Sequence, residues 1–156
     1  MGDSITQRWW LPSSNLGLSG DTTAGMLKRF PLEVLQHDYR AVVILGGTND
    51  MRLTGASIEE EAAKAMSNIA AMAAIADAAG ITVVLCTIPP IQGEESRSEG
   101  LNAEITSFAE SHHYKLVNYY TPMSGHPEYF VDYLHPNVEG YMVMRSALIA
   151  VLPQNY

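Results

Sequence analysis

Three apolar segments divide the chain into alternating strands and helices. Residues 41–47 (AVVILGG) and 81–88 (ITVVLCTI) are rich in β-branched residues and are followed or ended by glycine or proline. Such runs are typical of strands that are buried on both faces of a parallel sheet. A third, shorter segment at residues 115–120 predicts one more strand.

Between these runs, apolar residues recur every three or four positions, which predicts helices. Ser57 and Glu60 form a capping box, so a helix begins there and reaches about Ala79, where Gly80 is placed to end it. Similar spacing predicts further helices, and Pro31 could break the first of them. These helices cover residues 22–35, 98–112 and 138–152.

The alternation of strands and helices predicts a three-layer α/β/α sandwich around a parallel sheet. The chain has 156 residues and no linker, repeat or low-complexity tract. A length in this range is typical of one domain. We therefore expect a single domain over residues 1–156.

Composition excludes several classes of function. Nine Lys and Arg against seventeen Asp and Glu give a net charge of −8, which disfavours nucleic acid and anionic membrane surfaces as partners. No apolar run reaches the roughly 20 residues of a membrane span. The sequence as written has no secretory signal, so a cytoplasmic location is expected. The single cysteine, Cys86, lies in a predicted buried strand and is expected to be inert.

Polar side chains with catalytic potential follow the predicted strands. Residues 46–50 (GGTND) come after the first strand, and residues 132–137 (DYLHPN) follow the third by way of a longer loop. Residues 2–4 (GDS) would occupy another strand end if a strand preceded them. Loops at the carboxyl ends of parallel strands form the usual ligand site of such sheets, so we expect these segments to meet.

Ser4, His135 and Asp132 together supply a hydroxyl, an imidazole and a carboxylate. Asp132 precedes His135 by three residues, so its carboxylate can reach the Nδ1–H group of the ring. Nε2 is then left to accept the proton of Ser4. This set predicts acyl transfer by a serine nucleophile.

The Asn49 amide and the backbone N–H groups of Gly20 and Ser4 are candidate donors to the oxyanion that forms in such a reaction. Trp9 and Trp10 follow Ser4 closely. They could wall the substrate pocket or equally well pack in the core. The remaining histidines have no spacing typical of metal ligands, so no metal site is expected.

Four segments resemble, in the same order along the chain, the blocks of the SGNH hydrolases, also called GDSL-like lipases or acylhydrolases. The resemblance implies a flavodoxin-like fold, with Ser4 as nucleophile, His135 as base and Asp132 as its orienting partner. It also implies an oxyanion hole formed by Ser4, Gly20 and Asn49. Members are mostly esterases, thioesterases, lysophospholipases and carbohydrate deacetylases that need no metal or cofactor. The segments are GDSIT (2–6), GLSGDTT (17–23), GTND (47–50) and DYLHPN (132–137).

The chain departs from the family pattern before the first block. Similar members have an apolar strand there, whereas only Met1 precedes Gly2 in this sequence, and residues 13–18 make a poor second strand. We therefore expect a sheet that lacks its usual first strand. Unpaired strand edges favour association with other chains, so a homo-oligomer formed through this edge is expected.

The function predicted is a serine esterase that hydrolyses short, acetyl-type esters of a sugar, aryl compound or other small alcohol. Short acyl groups are expected because a chain of this size leaves little material for a lid or a deep acyl tunnel. The same residues would serve a thioesterase or a lysophospholipase. A non-catalytic binding module is the third alternative, if the site is not assembled.

Overall fold

The computed structural model describes residues 1–10, 14–52 and 56–152. Within these ranges the strands are parallel and lie in the order β1–β2–β3. They start at the residues where the apolar runs begin or one residue later, but they end earlier, because the last residues of each run form the loops at the carboxyl edge. The strands are β1 (Ala41–Ile44), β2 (Thr82–Cys86) and β3 (Lys115–Val117).

The four helices predicted from hydrophobic periodicity are all present, with boundaries that differ by at most three residues. Three additional helices are four or five residues long, which is too short for a periodic pattern to show. The helices are α1 (Ser4–Gln7), α2 (Thr23–Val34), α3 (Thr48–Arg52), α4 (Ile58–Ala78), α5 (Glu95–His112), α6 (Tyr120–Met123) and α7 (Val138–Val151), with a 3₁₀ turn at Pro127–Tyr129.

The helices cover both faces of the sheet and confirm the predicted sandwich. Helix α4 packs against α2, α5 and β2. Both crossovers between neighbouring parallel strands, through α4 and α5, place their helices on the same face by the right-handed rule. Helix α7 packs against β3, and the Tyr141 hydroxyl donates a hydrogen bond to the carbonyl of Ile5 in α1, at 2.8 Å. The core therefore lies on both sides of β2, whose residues 83–86 are buried.

Helix α2 continues through Pro31, so the expected break there is wrong. Proline removes one N–H group from the helical ladder and crowds the preceding turn, but its carbonyl still accepts a hydrogen bond from Leu35 at 3.3 Å. Phe30 and Val34 are fully buried. Their packing on the core favours the continuous helix across the proline.

Gly2 joins the sheet without forming a full strand. It makes isolated parallel bridges to Leu45 on one side and Gly17 on the other. A Cβ atom on Gly2 would lie 2.7 Å from the Leu45 carbonyl oxygen, so glycine is required for this close approach. The expected absence of a full first strand agrees with these bridges. The weak second strand expected over residues 13–18 begins outside the described residues, and its described part forms only the bridge at Gly17.

A cavity of about 530 Å³ lies beside β1, next to this bridge. Met1, Trp9, Val43 and Leu148 are among its lining residues, and most of the lining is apolar. No helix in the described part of the chain is long and apolar enough to span a membrane.

Candidate active site

Ser4 is the first residue of α1 and points at His135. Asp3 caps this helix, since its carboxylate accepts a hydrogen bond from the Ile5 N–H group at 2.9 Å. The cap fixes the turn in which Ser4 stands, and only 4% of Ser4 is exposed. Ser4 Oγ lies 2.9 Å from His135 Nε2.

Asp132 holds the other side of the His135 ring. One carboxylate oxygen lies 2.8 Å from His135 Nδ1, and the other accepts the backbone N–H groups of Leu134 and His135 at 2.8 and 2.7 Å. Partial desolvation acts to raise the pKa of Asp132. The hydrogen bonds from His135 and Leu134 outweigh it and lower the pKa to about 2. Asp132 is therefore a carboxylate at any pH at which the protein would work.

The loop that carries Asp132 and His135 is anchored to α7. The Asn137 side chain caps that helix by accepting the Gly140 N–H group at 3.0 Å, and the Asn137 N–H group donates to the carbonyl of Tyr129 at 2.9 Å. A hydrogen bond of 2.9 Å from Val131 to the carbonyl of His135 closes the loop. The imidazole thus stands on a short turn that several hydrogen bonds hold in place.

Asn49 and Gly20 lie on neighbouring segments of the same edge. The Asn49 amide nitrogen donates one hydrogen bond to the carbonyl of Asp21, at 2.8 Å, which leaves its second N–H. Gly20 has a φ of 78°, a conformation that favours glycine. Within residues 1–10, 14–52 and 56–152, the N–H groups of Gly20 and Ser4 have no hydrogen-bond acceptor. The N–H groups of Ser4 and Gly20 and the second N–H of Asn49 are thus not used by acceptors in the described part of the chain.

Asp50 connects the segment that carries Asn49 with the segment that follows Gly20. Its buried carboxylate accepts the N–H group of Thr23 at 2.9 Å and the Thr23 hydroxyl at 2.6 Å. Thr23 begins α2, directly after the loop that contains Gly20. Asp50 therefore joins α3 to the start of α2.

Arg29 is a supporting residue that the sequence pattern did not indicate. Its guanidinium donates to the carbonyls of Gly2 and Leu16 at 2.9 and 3.0 Å. It also donates to the carboxylate of Asp21 at 2.7 Å. One side chain thereby links the segment before Ser4 to the segment that carries Gly20. An arginine in the middle of an amphipathic helix gives no sequence signal of such contacts.

Arg52 and Tyr133 form a second unpredicted contact at the mouth of the site. Arg52 Nη1 donates to Asn49 Oδ1 at 3.3 Å, and the other terminal nitrogen donates to the Tyr133 hydroxyl. The guanidinium carbon lies 5.2 Å from the centroid of the Tyr133 ring. This pair connects the helix that carries Asn49 with the loop that carries His135.

The rings of the two tryptophans pack on tyrosines. Trp9 is 7% exposed and packs on Tyr119 and Tyr141, with ring centroids 5.8 and 5.6 Å apart. Trp10 is 53% exposed, and its ring lies edge-on to Tyr141 at 5.4 Å. Trp9 also lines the cavity beside β1, whose lining does not include Ser4 or His135. The core-packing alternative thus describes Trp9. A role for Trp10 in the substrate pocket stays a prediction.

A parallel α/β sandwich with a hydroxyl, an imidazole and a carboxylate joined by hydrogen bonds at its strand ends is an arrangement that hydrolases use for acyl transfer. Residues 11–143 match the family model described as GDSL-like Lipase/Acylhydrolase family, and the chain belongs to this family. The match begins after the segment that contains Ser4.

Solved structures agree with this assignment. A GDSL-like lipase of Bacteroides thetaiotaomicron VPI-5482 is 31% identical, with 96% of this chain and 84% of that chain covered and a TM-score of 0.83. A protein of Bacteroides fragilis NCTC 9343 assigned as an acylhydrolase is 30% identical, with 96% and 83% covered and a TM-score of 0.84.

More distant structures share the fold. An acetylxylan esterase of Geobacillus stearothermophilus is 18% identical, with 89% and 71% covered and a TM-score of 0.77. A search of curated proteins gives no significant match. Family and fold together show that the chain is an esterase or acylhydrolase, a hydrolase that acts on ester bonds.

Proposed function

We propose that the protein is a serine esterase in which Ser4 is the nucleophile, His135 the base and Asp132 the group that orients it. The main observation behind the proposal is that Ser4, His135 and Asp132 are connected in sequence by two short contacts. Ser4 Oγ lies 2.9 Å from His135 Nε2, and His135 Nδ1 lies 2.8 Å from Asp132. Both distances are those of hydrogen bonds that can transfer or hold a proton.

The reaction proceeds in two halves. As Ser4 Oγ attacks the ester carbonyl, its proton passes to His135 Nε2, and the imidazolium is stabilised by the Asp132 carboxylate. His135 then gives this proton to the leaving alcohol, and an acyl-serine ester remains. A water molecule, deprotonated by His135, attacks that ester, and the acid leaves as the proton returns to Ser4 Oγ.

The negative charge on the carbonyl oxygen needs donors that are already in place. The N–H groups of Ser4 and Gly20 have no acceptor among the described residues. The Asn49 amide uses one hydrogen for Asp21 and keeps the other. Such preorganised donors are each worth about 10²–10³ in turnover. We therefore assign these three groups to the oxyanion hole.

We further propose short acyl groups, above all acetyl, on a sugar or another small alcohol. The cavity beside β1 does not include Ser4 or His135 in its lining, so it offers no acyl tunnel at the nucleophile. The structurally similar Geobacillus protein is an acetylxylan esterase. In two solved structures of that protein, described as catalytic mutants, a serine or a histidine is replaced by alanine. This favours a mechanism on this fold that uses a serine and a histidine.

A thioesterase or lysophospholipase would use the same residues, and competition among substrates separates them. Short oxygen esters, acyl thioesters and lysolipid are offered together, and we expect the short oxygen esters to be consumed first. The alternative of a non-catalytic module predicts that Ser4 is unreactive. The close contact between Ser4 and His135 argues against it.

The test measures hydrolysis of nitrophenyl acetate, butyrate and octanoate by the wild type, Ser4→Ala and a control. Ser146→Ala is the matched control, since its hydroxyl bonds only within the exposed face of α7. We expect Ser4→Ala to lose at least about 10³ in kcat and Ser146→Ala to retain it. A fluorophosphonate should label the wild type at Ser4. Equal rates for Ser4→Ala and the wild type would refute the proposal. A preference for octanoate would refute the proposed short acyl group.

A further inference from the structure

The Asn49 side chain is held at both ends of its amide. Asp21 accepts a hydrogen bond from the nitrogen at 2.8 Å, and Arg52 donates to the oxygen at 3.3 Å. A rotated amide would turn its oxygen to the Asp21 carbonyl and its NH₂ group to the Arg52 guanidinium. Both contacts would then be repulsive, so the two partners select one orientation.

From this arrangement we infer that Arg52 is a positioning residue for the oxyanion hole and that Tyr133 holds Arg52 in place. The inference rests on the proposed function, in which the second N–H of Asn49 meets the carbonyl oxygen of the substrate. Arg52 keeps that N–H directed to the site. Its positive charge also polarises the amide, because a donor on the oxygen strengthens the N–H groups as donors.

Tyr133 limits the freedom of an otherwise exposed arginine. Its hydroxyl accepts a hydrogen bond from Arg52, and its ring lies under the guanidinium at 5.2 Å, within the range of cation–π attraction. The Tyr133 carbonyl in turn accepts the Gln92 N–H group at 2.8 Å, so the ring stands on a fixed backbone. Arg52 is therefore held in place before any substrate binds.

The position of Tyr133 in the sequence gives this contact a second consequence. Tyr133 follows Asp132 directly and precedes His135 by two residues, whereas Asn49 and Arg52 belong to α3. The Arg52–Tyr133 pair is thus a bridge between the helix that carries the oxyanion donor and the loop that carries the base. It fixes the distance between the two halves of the site across the mouth.

A residue that acts through Asn49 should affect turnover more than substrate binding, because the oxyanion forms only in the transition state. Removing one hydrogen bond from a charged, exposed donor is expected to lower kcat about tenfold. Loss of Asn49 itself should cost about 10²–10³. The effect of Arg52 is therefore a fraction of the effect of Asn49 and should vanish without it.

The experiment is a double-mutant cycle on nitrophenyl acetate with the wild type, Arg52→Met, Asn49→Ala and the double variant. Arg52→Met should lower kcat about tenfold with KM within about twofold. In the Asn49→Ala background it should cause no further loss. Arg145→Met, at an exposed arginine of α7, is the control and should match the wild type. Circular dichroism checks that each variant is folded.

Two conservative variants keep the test decisive if Arg52→Met folds poorly. Arg52→Lys retains the charge but not the fork of two donors, and it should recover part of kcat. Tyr133→Phe removes the hydroxyl and leaves the ring, so its loss should be smaller than that of Arg52→Met and should also vanish without Asn49.

Three results would overturn the inference: an unchanged kcat in Arg52→Met, an equal loss with and without Asn49, or a rise confined to KM. If Ser4→Ala and Asn49→Ala lose activity while Arg52→Met does not, the inference fails and the proposed function stands. If Ser4→Ala is as active as the wild type, the proposed function itself fails.

Discussion

Replacement of Asp132 by asparagine separates its two roles. In the wild type one carboxylate oxygen accepts two backbone N–H groups of the turn, and the other accepts Nδ1–H of His135. Asparagine keeps an oxygen for the turn and places an NH₂ group against Nδ1. The ring must then carry its proton on Nε2, where it cannot accept the proton of Ser4.

The size of the effect follows from the geometry. An equivalent change in a buried triad lowers kcat about 10⁴-fold. The Asp132 side chain is 42% exposed, so water can replace part of its interaction with the ring. We therefore expect a loss of about 10³ in kcat for Asp132→Asn, which corresponds to about 4 kcal/mol of transition-state stabilisation.

The assay is steady-state hydrolysis of nitrophenyl acetate, accompanied by thermal unfolding. Asp132→Asn should unfold near the wild-type temperature, since the hydrogen bonds of the turn are kept. Asp132→Ala, which loses those bonds as well, should be both inactive and less stable. If Asp132→Asn retained more than about a tenth of the wild-type kcat, the assignment of Asp132 as the orienting group would be refuted.

Two further predictions concern stability and assembly. Burial raises the pKa of Asp3 from its usual 3.8 to about 6. The folded state therefore binds this proton more tightly than the unfolded state does. The free energy of unfolding should fall by up to about 3 kcal/mol as pH rises from 4 to 7. Asp3→Asn should keep the helix cap and flatten this dependence in urea unfolding. If the stability of Asp3→Asn depended on pH as steeply as that of the wild type, Asp3 would not be the cause of the dependence. At the edge of β1 we expect self-association through the incomplete sheet. Monomers of the wild type in light scattering at high concentration would refute it.

The fold was predictable because its main elements are long or strongly patterned. The β-branched runs of β1 and β2 and the capping box at Ser57 mark their elements without help from the rest of the chain. Pro31 shows the limit of such local rules. The cost of its missing N–H is fixed by sequence, whereas the burial of Phe30 that offsets it depends on the packed core.

In the candidate site, too, the contacts set by local sequence were predictable and those set by tertiary packing were not. Residue type alone indicates what a serine hydroxyl, an imidazole and a carboxylate can do chemically. The contact between Asp132 and His135 follows from their spacing of three residues in the sequence. Arg52 contacts one residue three positions away and another eighty-one positions away. Only the first of these contacts is implied by helical spacing. The second exists because the carboxyl ends of the strands bring distant loops together.

The contacts that hold the turn before Ser4, the proposed nucleophile, show the same dependence on tertiary structure. Gly2 is bonded to Leu16 and Leu18 through its own N–H and carbonyl, at 3.2 and 3.0 Å, and its carbonyl also accepts Arg29 at 2.9 Å. Each bond of this kind contributes about 1 kcal/mol, and together they fix a turn that a single bridge to Leu45 would leave loose. Because Arg29 also bonds to Asp21, beside Gly20, the same side chain holds both the segment before Ser4 and the segment of the proposed oxyanion donor Gly20.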